Sequence, residues 1–300
     1  MRVLSLLPAA TDILGSLGAA DLLVGVTHEC HGDAVPANTP RVTHSTIDAS
    51  DAPGVVDKQV RHQHEQGATL FALDVAAIAE ARPDLIITQS LCEVCAVDER
   101  DVRALAASLN PVPRILTLGA QTLDDVLVDV HRVAEAIQRP DEGLELVAGL
   151  RARLNTVHAT LQSAAAPRPL VAVIEWTDPV FAAGHWVPDM VLRAGGLDVL
   201  GRSGEHSRAY PARAVHDASP AVVIVAPCGY SLSRAEAAGH ALLALPEWHW
   251  MSERQVWAMD GDSFVSRPSP HLVDGVEAMA RIFNPMLFSP LVPAMATRLT

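Results

Sequence analysis

The chain has 300 residues, 49% of them hydrophobic and 19% charged, a globular rather than a disordered composition with room for two ordinary domains. Its formal charge is −13 and Lys58 is its only lysine, so no basic stripe exists to neutralise phosphates or to grip an anionic membrane surface, which argues against nucleic acid as a partner. No stretch approaches the roughly 20 consecutive apolar residues that a membrane-spanning helix needs.

The opening "MRVLSLLPAATDILGSLGAADLLVG" is apolar, but Pro8, Asp12, Gly15 and Gly18 interrupt it, so it reads as strand, turn and helix rather than as a signal peptide. Further along, short β-branched runs alternate with helical patterns, which is the signature of parallel sheets covered by helices. Strands are expected at residues 2–7, 23–27, 84–88 and 114–118. Helices are expected after Ala10 and from about Asp51, Asp74 and Asp98, with Asp74 placed to cap "VAAIAEA" by accepting a bond from a first-turn amide.

From Thr122 the pattern changes to two long helical stretches, "TLDDVLVDVHRVAEAIQ" and "DEGLELVAGLRARLNTVHATLQSA", separated by Arg139 and Pro140. The second carries Leu144, Leu146, Val147, Leu150, Leu154, Val157 and Leu161 at helical spacing; about 24 residues at 1.5 Å each extend roughly 36 Å, enough to cross a small domain. "AAAPRP" ends it, and "LVAVIEW" begins a second alternating series. The expected organisation is an α/β lobe over residues 1–138, a connecting helix over 139–166 and a second α/β lobe over 167–300. The halves echo each other: "ARPDLIIT" matches "ASPAVVIV", and "TDILGSLG" matches "PDMVLRAGG".

In open parallel sheets, ligands bind beyond the carboxyl ends of the strands, where loops converge and helix amides point. The loops after the expected strands are "HECH" (His28, Glu29, Cys30, His31), "QSLCEVC" with Cys92 and Cys95, "EWTDP" with Glu175 and Trp176, and "PCGY" with Cys228. "GHW", with His185 and Trp186, follows shortly after the third. All four cysteines of the chain fall in this set.

Three readings stand for the cysteines. They are small buried hydrophobes; or Cys30, Cys92, Cys95 and Cys228, with His31 or His28, ligate zinc or an iron–sulfur cluster; or the C-x-x-C is a redox pair. His62 and His64, two apart on a helix, read as a solvated face. Trp248, Trp250 and Trp257 read as packing residues, whereas Trp176 and Trp186 are placed to wall a large planar ligand. No phosphate-binding glycine loop, dinucleotide fingerprint or nucleophile elbow occurs, and no residue is assigned a catalytic role.

"RVLSLLPAATDILGSLGAADLLVGVTHEC", "ARPDLIITQSLCEVCAV", the long helix, "EWTDPVFAAGHWVPDMVLRAGG" and "MDGDSFVSRPSPHLVDGVEAMA" together resemble the cobalamin-binding-like branch of the helical-backbone substrate-binding proteins of ABC transporters, over roughly residues 2–285. The resemblance implies two Rossmann-like lobes with parallel sheets, joined by one rigid helix, that hold a ligand in the cleft between them with modest hinge closure. Relatives bind vitamin B12, heme, iron-siderophores or metal ions, so the resemblance implies a ligand of that range, and an ABC transporter permease as a candidate partner. On this reading a corrinoid, most simply cobalamin, is held by apolar contact from Trp176 and Trp186, by polar or axial contact from His28, Glu29, His185 and Glu175, and by a rim at "DGDSF" with Asp262 and Phe264. The alternative is a cytosolic metal-site or metal-cluster protein that uses the four cysteines. As written, the sequence shows neither export signal nor lipid-anchor cysteine near its start, so a cytoplasmic place is expected, or a periplasmic one if the true N-terminus lies upstream.

Overall fold

A computed structural model describes residues 1–90, 97–292 and 294–300. The chain divides into two compact units, Met1–Ala120 with Asp125–Val147, and Gln121–Asp124 with Ala148–Thr300.

The first unit opens with β1 (Val3–Ser5), α1 (Pro8–Ser16) and β2 (Leu23–Val26). Pro8 occupies the first turn of α1, where a missing amide costs nothing. After β3 (Thr43–Ser45) come α2 (Pro53–Glu65), β4 (Phe71–Leu73), α3 (Val75–Ala81), β5 (Leu85–Gln89), α4 (Glu99–Ser108), β6 (Arg114–Leu118) and α5 (Leu123–Ala136). The four-stranded sheet has the order β2-β1-β5-β6, all parallel, and β3 pairs antiparallel with β4 in a small separate ribbon.

Asp74 caps α3 as its position predicts, accepting a bond from the Ala77 amide, and Asp98 caps α4 through the Arg100 amide. The core on one face joins Leu4 and Leu6, Ile86 of β5, Ile78 of α3, and Val102 and Leu105 of α4. Leu85, Ile86 and Ile87 are all buried, as expected of a central parallel strand covered on both sides. His62 and His64 lie exposed on α2.

The long helix α6 (Pro140–Ser163) begins on the proline. Val147, Leu150, Leu154 and Val157 form its buried line, but Leu144 is exposed. At that turn the close contact is made by Gly143 instead, where an added Cβ would fall on the Cβ of Ala134 in α5. The first turns of α6 belong to the first unit and the rest to the second.

The second unit runs β7 (Leu170–Thr177), β8 (Val180–Ala182), α7 (Val187–Arg193), β9 (Leu197–Asp198), β10 (Arg208–Ala209), α8 (Ala212–Asp217), β11 (Val222–Val225), α9 (Leu232–Leu243), β12 (Gln255–Met259), α10 (Gly261–Phe264), α11 (His271–Phe283) and β13 (Ala296–Arg298). Its sheet order is β10-β8-β7-β11-β12-β13, with β9 also paired to β7; β7, β11 and β12 are parallel, and β8 and β13 join antiparallel. The core packs Ala172, Ile174, Val223, Val225 and Val256 of the sheet against Val215, Leu242, Trp248 and Met251.

The echo between the halves has a topological counterpart. In the first unit β1 has β2 on one side and β5 on the other; in the second, β7 has parallel β9 and parallel β11 as neighbours. "TDILGSLG" and "PDMVLRAGG" are the helices α1 and α7 that precede β2 and β9, and the two "P-x-β" segments are the strands β5 and β11. Among the described residues no helix is long and apolar enough to cross a membrane.

Candidate ligand-binding site

In the first unit the loop after β2 is held by a buried polar chain. Ser5 donates to the Leu7 carbonyl, Thr11 donates to Ser5, and the Cys30 thiol lies 3.1 Å from the Thr11 hydroxyl and 3.4 Å from that of Thr27. Cys30 is 1% exposed, so its sulfur is a packing and hydrogen-bonding group that fixes residues 27–31.

On this scaffold His28 sits half-buried, with Nδ1 at 2.7 Å from the Thr43 hydroxyl, which also accepts the His28 amide, and its ring lies 5.6 Å from Phe71. Burial, and then the neighbouring His44, hold its pKa below the ordinary histidine value, so the neutral imidazole is favoured at neutral pH. Glu29 and His31 are exposed on the same loop, and His31 Nδ1 lies 3.0 Å from the Glu29 carbonyl oxygen.

In the second unit the expected residues form a connected set. Glu175 lies where the β7–β8 register shifts, a bulge of the kind that re-aims side chains, and its carbonyl accepts the Cys228 amide. The next residue, Trp176, meets the ring of Tyr230 edge-on at 5.7 Å, and the Tyr230 carbonyl accepts the Asp262 amide. Asp262 is gripped by both Nε and Nη2 of Arg267, at 3.0 and 2.7 Å, in a partly buried pair. Asp260 caps α10 through the Ser263 amide. The indole of Trp186 is 5% exposed and donates to the Val265 carbonyl at 2.8 Å, which ties the loop after β8 to the loop after β12.

His185 stands beside Trp186 with a ring separation of 5.6 Å and meets His206 edge-on at 5.0 Å. Its φ of +52° is a left-handed conformation that a non-glycine residue adopts only under constraint. The constraint is visible: its amide donates to the Glu205 carbonyl at 2.7 Å, and its own carbonyl accepts the Gly204 amide. At Gly184 an added Cβ would fall on the backbone of Glu205 to Ser207, so residues 184 and 205–207 lie backbone to backbone.

Burial first, and His206 second, lower the His185 pKa. Its Nδ1 lies 3.2 Å from the Gln121 side-chain oxygen. With Nδ1–H donating to that amide oxygen, Nε2 of the neutral ring carries the lone pair, the form that accepts a hydrogen bond or ligates a metal.

The cysteine expectations divide by position. Cys92 and Cys95 lie outside the described residues. Cys30 is buried between hydroxyls, and Cys228 is an exposed free thiol. Among the described residues no group of three or more His, Cys, Asp and Glu side chains is arranged to hold a metal ion. Trp248 is buried in the second core as expected, with Trp250 packed against it. Sequence reasoning did not single out Tyr230, His206, Gln121 or Arg267; only Tyr230, inside "PCGY", lies in a loop it had marked.

The sequence family described as periplasmic binding protein matches residues 3–251. The chain belongs to this family. A vitamin B12-binding protein of Vibrio cholerae is 24% identical over 280 residues, covering 92% of this chain and 86% of that protein. Among solved structures, a periplasmic heme-binding protein from Pseudomonas aeruginosa superposes with a TM-score of 0.72 at 18% identity, covering 99% of this chain and 97% of that one. The periplasmic vitamin B12 binding protein of Vibrio cholerae superposes with a TM-score of 0.65 at 20% identity, covering 95% and 96%. The two-lobed α/β fold and the substrate-binding character expected from sequence are those of this family.

Proposed function

We propose that this periplasmic-binding-protein relative holds a corrinoid, cobalamin in the simplest case, and presents it to an ABC transporter permease outside the cytoplasmic membrane. The observation that carries the reading is His185: a half-buried imidazole, neutral at working pH, strained into place, with Nδ1 engaged by Gln121 and Nε2 available as an axial or hydrogen-bonding group beside the Trp186 indole. Trp176, backed edge-on by the buried Tyr230, supplies aromatic surface suited to a large planar chelate, and His28 and Glu29 are the polar groups proposed to contact it from the loop after β2. The vitamin B12-binding relative, similar over most of both chains, supports the corrinoid over other chelates. No catalytic step is needed: the groups present bind and orient.

The second reading replaces the corrin by heme, and it is favoured by the superposition on the heme-binding protein. Titration calorimetry of the purified protein with cyanocobalamin and with hemin separates the two. Saturable corrinoid binding at micromolar concentration, weakened by His185→Ala and by Trp176→Ala, is the expected result. Binding of hemin alone transfers the site to the porphyrin, and binding of neither ends both readings.

A further inference from the structure

The helix α6 reaches the site loop through a chain of side chains. Its Arg153 donates from Nε to Glu277 at 2.9 Å and from Nη2 to Asp274 at 2.5 Å, both on α11. The other oxygen of Asp274 lies 3.0 Å from His271 Nδ1, and the His271 ring meets Phe264 edge-on at 6.5 Å. Asp274 is thus bonded on both oxygens. Burial alone would raise its pKa, yet the bonds from His271 and Arg153 hold it below the ordinary carboxylate value.

A second, backbone contact runs in parallel. At Gly275, beside Asp274 on α11, an added Cβ would fall on the carbonyl oxygen of Phe264 and within 2.8 Å of Met190 in α7. The loop that carries Asp262 and Phe264 therefore rests directly on the helix that Arg153 holds.

We infer that Arg153 is a positioning residue for the ligand-facing loop 260–267, acting through Asp274 and His271 on Phe264. The link to ligand rests on the proposed function; the link to the loop does not. Of its two acidic partners only Asp274 leads on to His271, so the two bonds have separable roles. The Glu277 bond anchors α11 alone, and the Asp274 bond also sets where His271 presents its edge to Phe264.

The test reads the loop first and the ligand second. In the ligand-free protein, amide hydrogen exchange at Ser263, Phe264 and Ser266, whose amides are bonded to Asp260, Asp260 and Gly261, reports loop order. Arg153→Gln and His271→Ala are expected to speed that exchange about tenfold, with Glu277→Gln near wild type there and Val223 and Val225 of β11 unchanged in all three.

In cyanocobalamin titrations Arg153→Gln is expected to weaken affinity about tenfold, and to change it less than about twofold when Phe264 is already alanine. A role in stability alone would give additive effects. Loop exchange unchanged in Arg153→Gln, equal acceleration in Glu277→Gln, or acceleration spread to β11 overturns the inference. Absence of corrinoid binding in the wild type ends the ligand reading alone, because the exchange measurement still decides the positioning role.

Discussion

Asp198, at the end of β9, accepts the amides of Leu200 and Gly201 on one oxygen, at 2.9 and 2.7 Å, while its other oxygen is buried with no hydrogen-bond partner among the described residues. Burial is the larger influence and pushes its pKa up, against the two amides that pull it down. Its Oδ2 and the carbonyl oxygen of Ala183 both crowd the place where a Cβ on Gly201 would stand. A neutral carboxyl suits that surrounding better than an anion does.

Because the folded value is raised, the contribution of Asp198 to stability is complete below the unfolded carboxylate value of about 3.9 and is lost as pH rises through the folded value. Asp198→Asn keeps the shape and both amide bonds and cannot ionise. The variant is expected to match wild type in urea melts near about pH 4 and to exceed it near about pH 8, with the advantage growing between the two. A difference that stays constant with pH, or that favours the wild type at the alkaline end, contradicts the account.

At the scale of elements, three glycines give opposite expectations for one substitution. Gly149 is exposed inside α6 with nothing within 4 Å of an added Cβ, so Gly149→Ala is expected to stabilise by about 0.5 to 1 kcal/mol through helix propensity and a poorer unfolded ensemble. Gly143→Ala places a methyl on Ala134 across the α5–α6 contact, and Gly184→Ala drives one into the Glu205 to Ser207 backbone. Both are expected to cost about 1 to 3 kcal/mol. Only the change at Gly184 is expected to weaken ligand binding as well, since it shifts the strand-end loop that fixes His185. Thermal melts and one titration series on the three variants check this.

The elements that sequence revealed are those with local causes. The cap at Asp74 needs only a neighbour three residues away, and β5 and β6 are five-residue runs long enough to mark themselves in the local pattern. The strands β3, β9 and β10 span two or three residues each and exist through pairing with partners distant in the chain, as Thr43 with Leu73 or Leu170 with Leu197, and no periodicity marks them. His28 stands in the loop after β2, where the sequence pattern places it, whereas Glu175 and Trp176, which that pattern puts in a loop, lie inside β7 at its bulge, because the pairing with β8 extends the strand past the apolar run. The site was not legible at Gln121, which meets His185 across 64 residues, or at His206, which approaches through the Gly184 close contact.

For the whole molecule, the division into units can be followed with the chain's own reporters. All five tryptophans, Trp176, Trp186, Trp248, Trp250 and Trp257, lie in the second unit, whereas helices of both units contribute to the far-ultraviolet signal. Each unit has a core of its own, Leu4, Ile86 and Val102 in the first and Ile174, Val225 and Trp248 in the second. Cores without shared residues lose cooperativity with each other more readily than parts of one core do. Fluorescence and circular dichroism are therefore expected to give different midpoints in the ligand-free protein.

A ligand stabilises whatever it binds by mass action, about 2.7 kcal/mol at a hundredfold excess over its dissociation constant. If the proposed corrinoid contacts His28 as well as Trp176, both midpoints are expected to rise on saturation. A rise in the fluorescence midpoint alone would confine the ligand to the second unit, and His28→Ala would then leave affinity unchanged. That pairing of melt and variant decides whether the first unit, with its Cys30-supported His28 loop, contributes to recognition.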